Sequence, residues 1–348
     1  MNPSAPQSQS ICLLRLSALG DVCNCLALVR ALQRAWPETR ITWIIGKAEA
    51  ALLSALTDVE FIVFDKKSGW AGVRDLRQKL ASRRFDILLQ AQVSARANLL
   101  SLLIRADRRI GFDRSRSREG HGLVIRERIA SVEFQHQALA FLEFARHLGI
   151  ETRAIDRRPP FDESALAFAR QHQPEAGQAV LISPASSHPA RNWHAKGYAR
   201  ISDWIVGQTG RPVILIGGPS ALEHQLGRDI EAAANQPLTN LIGKDTLHQA
   251  LAMLDQAACL VAPDSGPVHF AAALGTPVVG LYAATWSKRS GPLGSLEHCV
   301  DRFPEASRKF LGKEPEQVRW GRRLEFPGVM DLITPEMVIQ RLEPLLVR

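Results

Sequence analysis

The segment PDSGPVH, residues 263–269, places a carboxylate, a hydroxyl and an imidazole close together in the chain. The apolar run before it, residues 258–262, predicts a buried strand, and the alanine-rich run after it predicts a helix that ends at Gly275. The segment therefore follows the carboxyl end of a strand and begins a helix, which is where ligands bind in open α/β sheets. The free N–H groups and the positive dipole end of such a helix favour anions, above all phosphate.

Four residues of this segment are candidate ligand-binding residues. Asp264 and Ser265 supply polar groups, and Gly266 has no Cβ that would block close approach of a ligand. His269 lies on the first turn of the predicted helix, although a single histidine at such a position is more often structural. The alternative for Asp264 and Ser265 is that they only cap the helix. The spacing leaves both interpretations open.

Two more loops are expected at the same sheet edge. The segment SPASSHPARNW follows a predicted strand, so its hydroxyls, Ser187 among them, and Arg191 point to that edge. Arg191 can clamp a phosphate or diphosphate, or it can be an ordinary surface arginine. In the segment IGGPSALEH, Glu223 can accept hydrogen bonds from ribose hydroxyls, although an exposed glutamate in a first helical turn is the simpler explanation.

Asp21 is the candidate base of the first half of the chain. It ends the segment SALGD, which follows the apolar run ICLLRL and begins a helix. A helix N-cap is the usual role of an aspartate at that position. As a base it would be weak because the helix terminus stabilises the carboxylate. A weak base suits a reaction in which the hydroxyl proton leaves late, in the transition state.

Apolar runs alternate with helical periodicity along the whole chain. This pattern predicts an α/β fold with two Rossmann-like, doubly wound domains. In the first half we expect strands at 11–16, 41–45, 61–64 and 86–92, with helices at 22–35, 70–82 and 95–104. In the second half we expect five strands, at 179–183, 212–217, 240–243 and 258–262 and a last one ending at Tyr282.

The proline-containing segment RRPPFD, residues 157–162, is the expected domain junction. We expect domains at 11–165 and 166–330, preceded by a disordered tail at 1–10. The tail lacks the basic and apolar regions of a signal peptide. The last part, 331–348, contains an amphipathic helix that could pack across the domain boundary.

Residues 105–128 contain eight arginines and few apolar residues. Most charge runs of this kind are solvated loops. The functional alternative is a cationic rim for an anionic ligand, since the arginine fork matches phosphate and carboxylate. The only aromatic residue in the run is Phe112, which offers little for base stacking, so nucleic acid is the weakest candidate partner.

The composition indicates a globular chain with an anionic partner. The 348 residues carry a formal net charge of +8, which fits nucleic acid, a phosphorylated metabolite or an acidic membrane surface. The five cysteines are odd in number and show no zinc-site spacing, which favours reduced thiols in the cytosol. No G-x-G-x-x-G, P-loop or Asp-x-Asp motif occurs, so we expect no dinucleotide cofactor and no bound metal.

Together these segments resemble the lipopolysaccharide heptosyltransferases of glycosyltransferase family 9. The resemblance rests on SALGDV, PARNW, GGPSALE and, most specifically, PDSGPVHFAAALGTPVVGLY, and it covers nearly the whole chain after the tail. It implies the GT-B fold, in which two Rossmann-like domains face a cleft. It also implies inverting, metal-independent transfer of a heptose from ADP-heptose to an anionic acceptor in the lipopolysaccharide inner core.

The resemblance also implies roles for the candidate residues. Asp21, in the acceptor-binding first domain, would deprotonate the acceptor hydroxyl. Arg191 stands where the family commonly has lysine and would neutralise the diphosphate leaving group. Glu223 would bind the adenosine ribose. The diphosphate and the donor sugar would be held by Ser187, Asp264, Ser265, Gly266 and His269.

The location and two alternative functions follow from the same resemblance. The arginine run would meet acidic core sugars, and the basic charge would hold the protein at the cytoplasmic face of the inner membrane as a peripheral protein. One alternative is a nucleotide-sugar epimerase of the same architecture, which would release free product without an acceptor. The other is a binding protein for nucleotide or lipopolysaccharide that has lost turnover, which the lysine-to-arginine difference favours.

Overall fold

A computed structural model describes residues 10–153 and 155–347. The chain divides into two compact units at the bond between Pro160 and Phe161. The expected tail lies outside the described residues up to position 9, and Ser10 already belongs to the first strand. None of the described helices is long and apolar enough to cross a membrane.

The first unit alternates strands with helices. Its strands are β1 (Ser10–Leu14), β2 (Arg40–Gly46), β3 (Glu60–Phe64), β4 (Phe85–Gln90), β5 (Ala106–Gly111) and β6 (Glu127–Arg128). Its helices are α1 (Leu19–Ala35), α2 (Lys47–Leu52), α3 (Gly69–Leu80), α4 (Ala95–Ser101), α5 (His121–Val124) and α6 (Gln137–His147). In the described part of the chain these strands form one parallel sheet in the order β3-β2-β1-β4-β5-β6. The central strand β1 is apolar because a parallel sheet is covered on both faces.

The arginine run is not the loop that its composition predicts, because it contains β5 and β6. Arg108 on β5 donates two hydrogen bonds to the carboxylate of Glu127 on β6, from Nε at 2.9 Å and Nη2 at 2.6 Å. The next residue, Arg109, donates to the backbone carbonyls of Ser101, Ile104 and Val124. Ion pairs and hydrogen bonds therefore allow charged residues to occupy strands near the sheet edge, and an apolar pattern cannot reveal such strands.

The second unit repeats the architecture. Its strands are β7 (Val180–Ile182), β8 (Val213–Leu215), β9 (Thr239–Asn240), β10 (Cys259–Pro263), β11 (Val278–Tyr282) and β12 (Val300–Asp301). Its helices are α7 (Glu163–His172), α8 (Ala195–Thr209), α9 (Ala221–Ala233), α10 (Leu247–Asp255), α11 (Gly266–Leu274), α12 (Ser287–Ser290), α13 (Phe303–Leu311) and α14 (Pro335–Leu346). Across the described residues the parallel order is β12-β11-β10-β7-β8-β9. The expectation of five strands misses β12, whose two residues are too few to form a pattern.

The division between the units falls inside the expected junction, residues 157–162, and five residues before the expected end of the first domain, which lies inside α7. Asp162 accepts a hydrogen bond from the backbone N–H of Ala165 at 2.9 Å and so caps α7. Its other carboxylate oxygen lies 2.8 Å from Nδ1 of His248 on α10, against which α7 packs. Helix α7 thus belongs to the second unit. The closing helix α14 packs on α8, β11 and β12 of the same unit.

Trp193 anchors the segment between β7 and α8. Its side chain is buried, and its Nε1 donates to the carbonyl of Ile333 at 3.0 Å. Gly197, on the first turn of α8, lies directly against the indole: a Cβ built there would come within 2.5 Å of the ring. Gly207, on the same helix, has no atom within 4 Å of the corresponding position. The two glycines therefore differ in packing but share a helix.

We expect Gly197→Ala to lower the free energy of unfolding by about 1–3 kcal/mol, because the added methyl group must displace Trp193. Gly207→Ala is the matched control and should leave stability unchanged or raise it by up to about 1 kcal/mol, since alanine favours helix more than glycine does. Urea unfolding followed by tryptophan fluorescence measures both. Equal stability of the two variants would contradict the packing described for Trp193.

Candidate functional site

The loop between β10 and α11 has a buried hydroxyl with no partner. Ser265 is the N-cap of α11, but its side chain makes no capping hydrogen bond. Its Oγ is buried and has no hydrogen-bond partner among the residues that the structure describes. The capping interpretation is therefore wrong for Ser265. Since a buried polar atom without a partner is costly, the hydroxyl points to a ligand that completes it.

The other candidate residues of this loop surround the start of α11. The Oδ2 atom of Asp264 accepts a hydrogen bond from Ser290 Oγ at 3.2 Å. Gly266 is the first residue of the helix, and His269 lies on its first turn. The helix ends at Gly275, whose φ of 91° is left-handed, as the sequence predicts. The amino end of α11 thus carries the carboxylate of Asp264. No side chain of its N-cap residue, Ser265, caps the helix.

Arg191 and Ser187 meet in the loop after β7. Arg191 ends a short 3-10 turn, Pro189–Arg191, and only 6% of the residue is exposed. Its Nη2 donates to Ser187 Oγ at 2.8 Å. The structure therefore brings together two residues that the sequence assigns to one site, and it excludes the alternative of a surface arginine.

The charge of Arg191 is coupled to the α11 loop. Burial is the main cause that lowers its pKa, and the neighbouring Arg323 adds to this effect. Asp264 and Glu325 act in the opposite direction and favour the charged form. Arg191 remains a cation because arginine is protonated far above neutral pH. Arg191, in the loop after β7, and Asp264, in the loop after β10, therefore interact electrostatically at the carboxyl edge of the sheet.

Glu325 is a site residue that sequence reasoning missed. Its Oε1 lies 3.4 Å from Arg191 Nε, and its Oε2 lies 3.8 Å from Nε2 of His188. Neither Arg191 Nε nor Glu325 Oε1 makes a hydrogen bond within the described part of the chain. Glu325 follows the segment RWGRR, whose cations and tryptophan were a signal that could have drawn attention to it. Glu325 is close enough to orient the guanidinium of Arg191. The Nε–H of Arg191 still has no acceptor and can donate a hydrogen bond to a ligand.

Glu223 is satisfied in part by its own loop. Its Oε1 accepts from the N–H of Gly218 at 2.7 Å, and its Oε2 accepts from Ser220 Oγ at 2.6 Å. Ser220 caps α9, so this arrangement joins the helix cap to the glycine loop before it. A carboxylate has about four acceptor positions, so each oxygen keeps capacity for another donor.

Asp245 lies near Glu223 and also escaped the sequence reasoning. Burial, and after it the negative charge of Glu223, raises the pKa of Asp245 to about 6. Glu223 lies on the first turn of α9, which follows β8, and Asp245 lies in the loop that follows β9; the two strands pair in the sheet. This part of the sheet edge is therefore rich in hydrogen-bond acceptors.

Asp21 lies in a cluster at the carboxyl edge of the first sheet. It is the third residue of α1, and its Oδ2 pairs with Arg15, while its Oδ1 accepts a hydrogen bond from Gln137. The guanidinium of Arg15 also donates to the carbonyl of Ala91 at 2.7 Å and lies over the ring of Phe141. The side chain of Asp21 stays 18% exposed. The N-cap of α1 is Ala18 and not Asp21, and the N–H of Ala18 donates to Oδ2 of Asp21 at 3.5 Å. The carboxylate is thus held in place by three donors and remains partly exposed.

Arg15 and Gln137 were not predicted as site residues. Arg15 had a signal, because it is a charged residue at the end of a buried apolar run. Gln137 had none, since it lies 116 positions away from Asp21. Only the tertiary fold brings α6 against α1.

A cavity of about 820 Å³ opens at the same edge of the first sheet. It is lined by residues that follow β1, β2, β3 and β4. Its charged residues are Lys47, Lys66, Lys67, Arg96, Glu49, Asp65 and Glu119. Leu16 and Ser17, which follow Arg15 in the chain, line the cavity, so it lies beside the Asp21 cluster. Burial raises the pKa of Glu49 on the cavity wall, while Lys66 and Arg15 act in the opposite direction. The four cations suit a ligand with anionic groups.

The cationic rim expected from the arginine run is reduced by internal contacts. Arg108 and Arg109 are engaged within the sheet as described, and Arg116 pairs with Asp113. Arg105 donates to the carbonyl of Ala81 at 3.3 Å. Four of the eight arginines therefore bond to their own unit. The cavity lysines, Lys47, Lys66 and Lys67, are further cations that the sequence analysis did not predict as site residues.

The fold resembles solved glycosyltransferases. The structure of a family 9 glycosyltransferase from Veillonella parvula matches with a TM-score of 0.80 at 20% identity, covering 97% of both chains. Escherichia coli heptosyltransferase WaaC, solved with ADP, matches with a TM-score of 0.72 at 19% identity, covering 97% of this chain and 99% of that one. A putative UDP-N-acetylglucosamine 2-epimerase from Listeria monocytogenes shares the fold more distantly, with a TM-score of 0.51. The fold is thus that of the GT-B glycosyltransferases, as the sequence predicts.

The sequence comparisons identify the family. The family model for glycosyltransferase family 9 (heptosyltransferase) matches residues 73–317. The lipopolysaccharide core heptosyltransferase OpsX of Haemophilus influenzae is 36% identical over 337 residues, which cover 97% of each chain. The chain belongs to glycosyltransferase family 9. It is therefore an enzyme of the heptosyltransferase type.

We expect Asp245→Asn to stabilise the protein increasingly as the pH rises from about 4 to 7. The folded-state pKa of about 6 is above the value of about 3.9 for an unfolded chain, so ionisation of Asp245 costs stability as pH rises through this window. Thermal melts of variant and wild type at several pH values measure the difference. Asp229→Asn, on the exposed face of α9, controls for the loss of one charge. A Tm difference that stays constant with pH would contradict the burial of the Asp245 carboxyl group.

Proposed function

We propose that the protein transfers a heptose from ADP-heptose to an acceptor sugar in the lipopolysaccharide inner core, with inversion at the anomeric carbon. The observation that carries this proposal is the buried Ser265 hydroxyl without a partner, at the amino end of α11. The neighbouring Asp264 acts electrostatically on the buried Arg191. A helix N-terminus with a nearby guanidinium is a site for a diphosphate. Membership of family 9 supports a heptose as the transferred sugar.

The second unit holds the donor in this proposal. Arg191 and Ser187 contact the diphosphate, and Ser265, Gly266 and His269 bind it from the start of α11. Asp264 holds the donor sugar. Glu223 accepts hydrogen bonds from the adenosine ribose with the acceptor capacity that its own loop leaves open. As the bond between the anomeric carbon and the diphosphate oxygen breaks, negative charge grows on the leaving ADP, and Arg191 stabilises it without a metal ion.

The first unit supplies the base and the acceptor site. Asp21 removes the proton from the acceptor hydroxyl as that oxygen attacks the anomeric carbon. Arg15 and Gln137 hold the carboxylate in a fixed orientation, from which it accepts the proton late in the reaction. The cavity beside this cluster holds the acceptor, whose acidic groups pair with Lys47, Lys66, Lys67 and Arg96.

The proposed site of action is the cytoplasmic face of the inner membrane, where a lipid-anchored acceptor meets a nucleotide sugar. The net charge of +8 supports attraction to an anionic surface. The epimerase alternative has only a distant likeness of fold in its favour, at 13% identity. The non-catalytic alternative fits the structure less well than turnover does, because Asp21 is held in place and stays accessible.

We expect Asp21→Asn to lower kcat by about 10²- to 10⁴-fold, because the amide keeps the shape but cannot accept the proton. Binding of ADP should stay unchanged, since Asp21 lies in the unit that does not hold the nucleotide. The assay is mass-spectrometric detection of heptose added to a heptose-deficient core oligosaccharide. Asp58→Asn, an exposed carboxylate of the same unit, is the matched control and should retain full activity.

Transfer by Asp21→Asn at the wild-type rate would show that another group is the base. Free sugar product without an acceptor would favour the epimerase. The absence of transfer by the wild type to any core acceptor would favour the binding protein.

A further inference from the structure

We propose that the exposed leucines of α4 and α5 dock the protein on an anionic lipid surface. We call this set, Leu99, Leu102 and Leu123, the leucine face. The inference rests on the proposed function because a lipid-anchored acceptor requires the enzyme to work beside a membrane. It goes further in naming the surface that makes the contact.

The leucine face is far more exposed than apolar side chains usually are. Leu99 is 67% exposed, Leu102 63% and Leu123 90%. Leu99 and Leu102 are three positions apart on α4 and its cap, so they share one side of the helix. The opposite side of α4, with Ala97 and Leu100, is buried in the core. Leu123 lies on α5, which contacts α4. Large apolar side chains that stay exposed on packed neighbouring helices mark a binding surface.

The two short helices form one rigid platform. The N–H of Ala95 donates to the carboxylate of Glu119 at 2.6 Å, and the side chain of Asn98 donates to the carbonyl of Glu119 at 2.8 Å. His121, buried at the start of α5, lies 3.1 Å from the Asn98 side-chain oxygen. The leucines are therefore carried by two helices that these hydrogen bonds join to each other.

The positive charge around the leucine face favours binding to an anionic lipid surface. The stretch 94–132, which contains the leucine face, has nine arginines against four acidic residues. Arg96 and Arg118 are exposed within it, on α4 and just before α5. Basic side chains around apolar ones bind anionic headgroups while the apolar groups enter the acyl boundary. A second copy of this chain would bring two basic rims together, so like charges disfavour a dimer through this surface.

The position of the leucine face fits an acceptor that is anchored in lipid. Ala95 and Arg96 at the start of α4, and Glu119 just before α5, line the cavity of about 820 Å³ that the proposed function assigns to the acceptor. The same helix thus forms the wall of the cavity and carries two of the leucines. A membrane against this face would place the sugar headgroup of an embedded acceptor next to the cavity.

The test is co-sedimentation of the purified full chain with vesicles of phosphatidylglycerol and phosphatidylcholine, compared with vesicles of phosphatidylcholine alone. We expect the wild type to bind the anionic vesicles and the double variant Leu99→Gln/Leu123→Gln to bind them at least about tenfold more weakly. Leu222→Gln, an apolar residue of the second unit that is 41% exposed, is the matched control and should bind as the wild type does. Arg118→Glu tests the basic rim separately, and it should weaken binding to the anionic vesicles.

Three results would overturn the proposal: no binding of the wild type to anionic vesicles, equal binding by the double variant, or conversion of a wild-type dimer into monomers by the double variant in analytical ultracentrifugation. The last would make the face a protein interface. Vesicle binding uses neither donor nor acceptor, so it can fail while heptosyl transfer stands, and the reverse. Transfer to a water-soluble core oligosaccharide should be the same for the double variant and the wild type.

Discussion

The burial of the Arg191 guanidinium is the constraint on which the proposed donor site depends. A cation removed from water needs compensating charge and acceptors, or it destabilises the fold. Ser187, Glu325 and Asp264 supply part of this compensation, from three different loops. The buried Nε of Arg191 and the Ser265 hydroxyl still lack hydrogen bonds in the described part of the chain. The second unit therefore holds a charge and a hydroxyl in place for an anion that completes them.

The sequence alone predicts much of the fold because apolar runs mark the buried strands of parallel sheets. It also predicts Arg191, Ser187 and the α11 loop as neighbours, since the carboxyl ends of parallel strands share one edge. It misses β5 and β6 because ion pairs stabilise them, and β12 because it is short. It misses Gln137 because pairing over 116 positions leaves no local pattern, and it misses Glu325 although cations and a tryptophan precede it in the chain. Arg15 and Asp245 could have been predicted, because each is a charged residue beside an apolar run of the sequence.

The first unit combines three features at one sheet edge. Asp21 is held by Arg15 and Gln137, the cationic cavity lies beside them, and α4 carries exposed leucines next to that cavity. Each feature has a separate physical cause: charge pairing orients Asp21, a space between the loops forms the cavity, and the leucines of α4 remain unburied. Their proximity fits the proposed acceptor, an acidic sugar presented at a lipid surface. Membership of family 9 and the GT-B fold agree with this combination.

The most direct measurement is calorimetric titration of the wild type and of Arg191→Ala with ADP, and with GDP and UDP as controls, in the presence of a metal chelator. We expect the wild type to bind ADP at least about tenfold more tightly than the other nucleotides. Arg191→Ala should weaken ADP binding about 10- to 150-fold, because the variant loses a charge-assisted hydrogen bond to the diphosphate. Arg200→Ala, on the exposed side of α8, is the matched control and should bind ADP as the wild type does. Unchanged ADP affinity in Arg191→Ala, or no nucleotide binding by the wild type, would contradict the assignment of the diphosphate site.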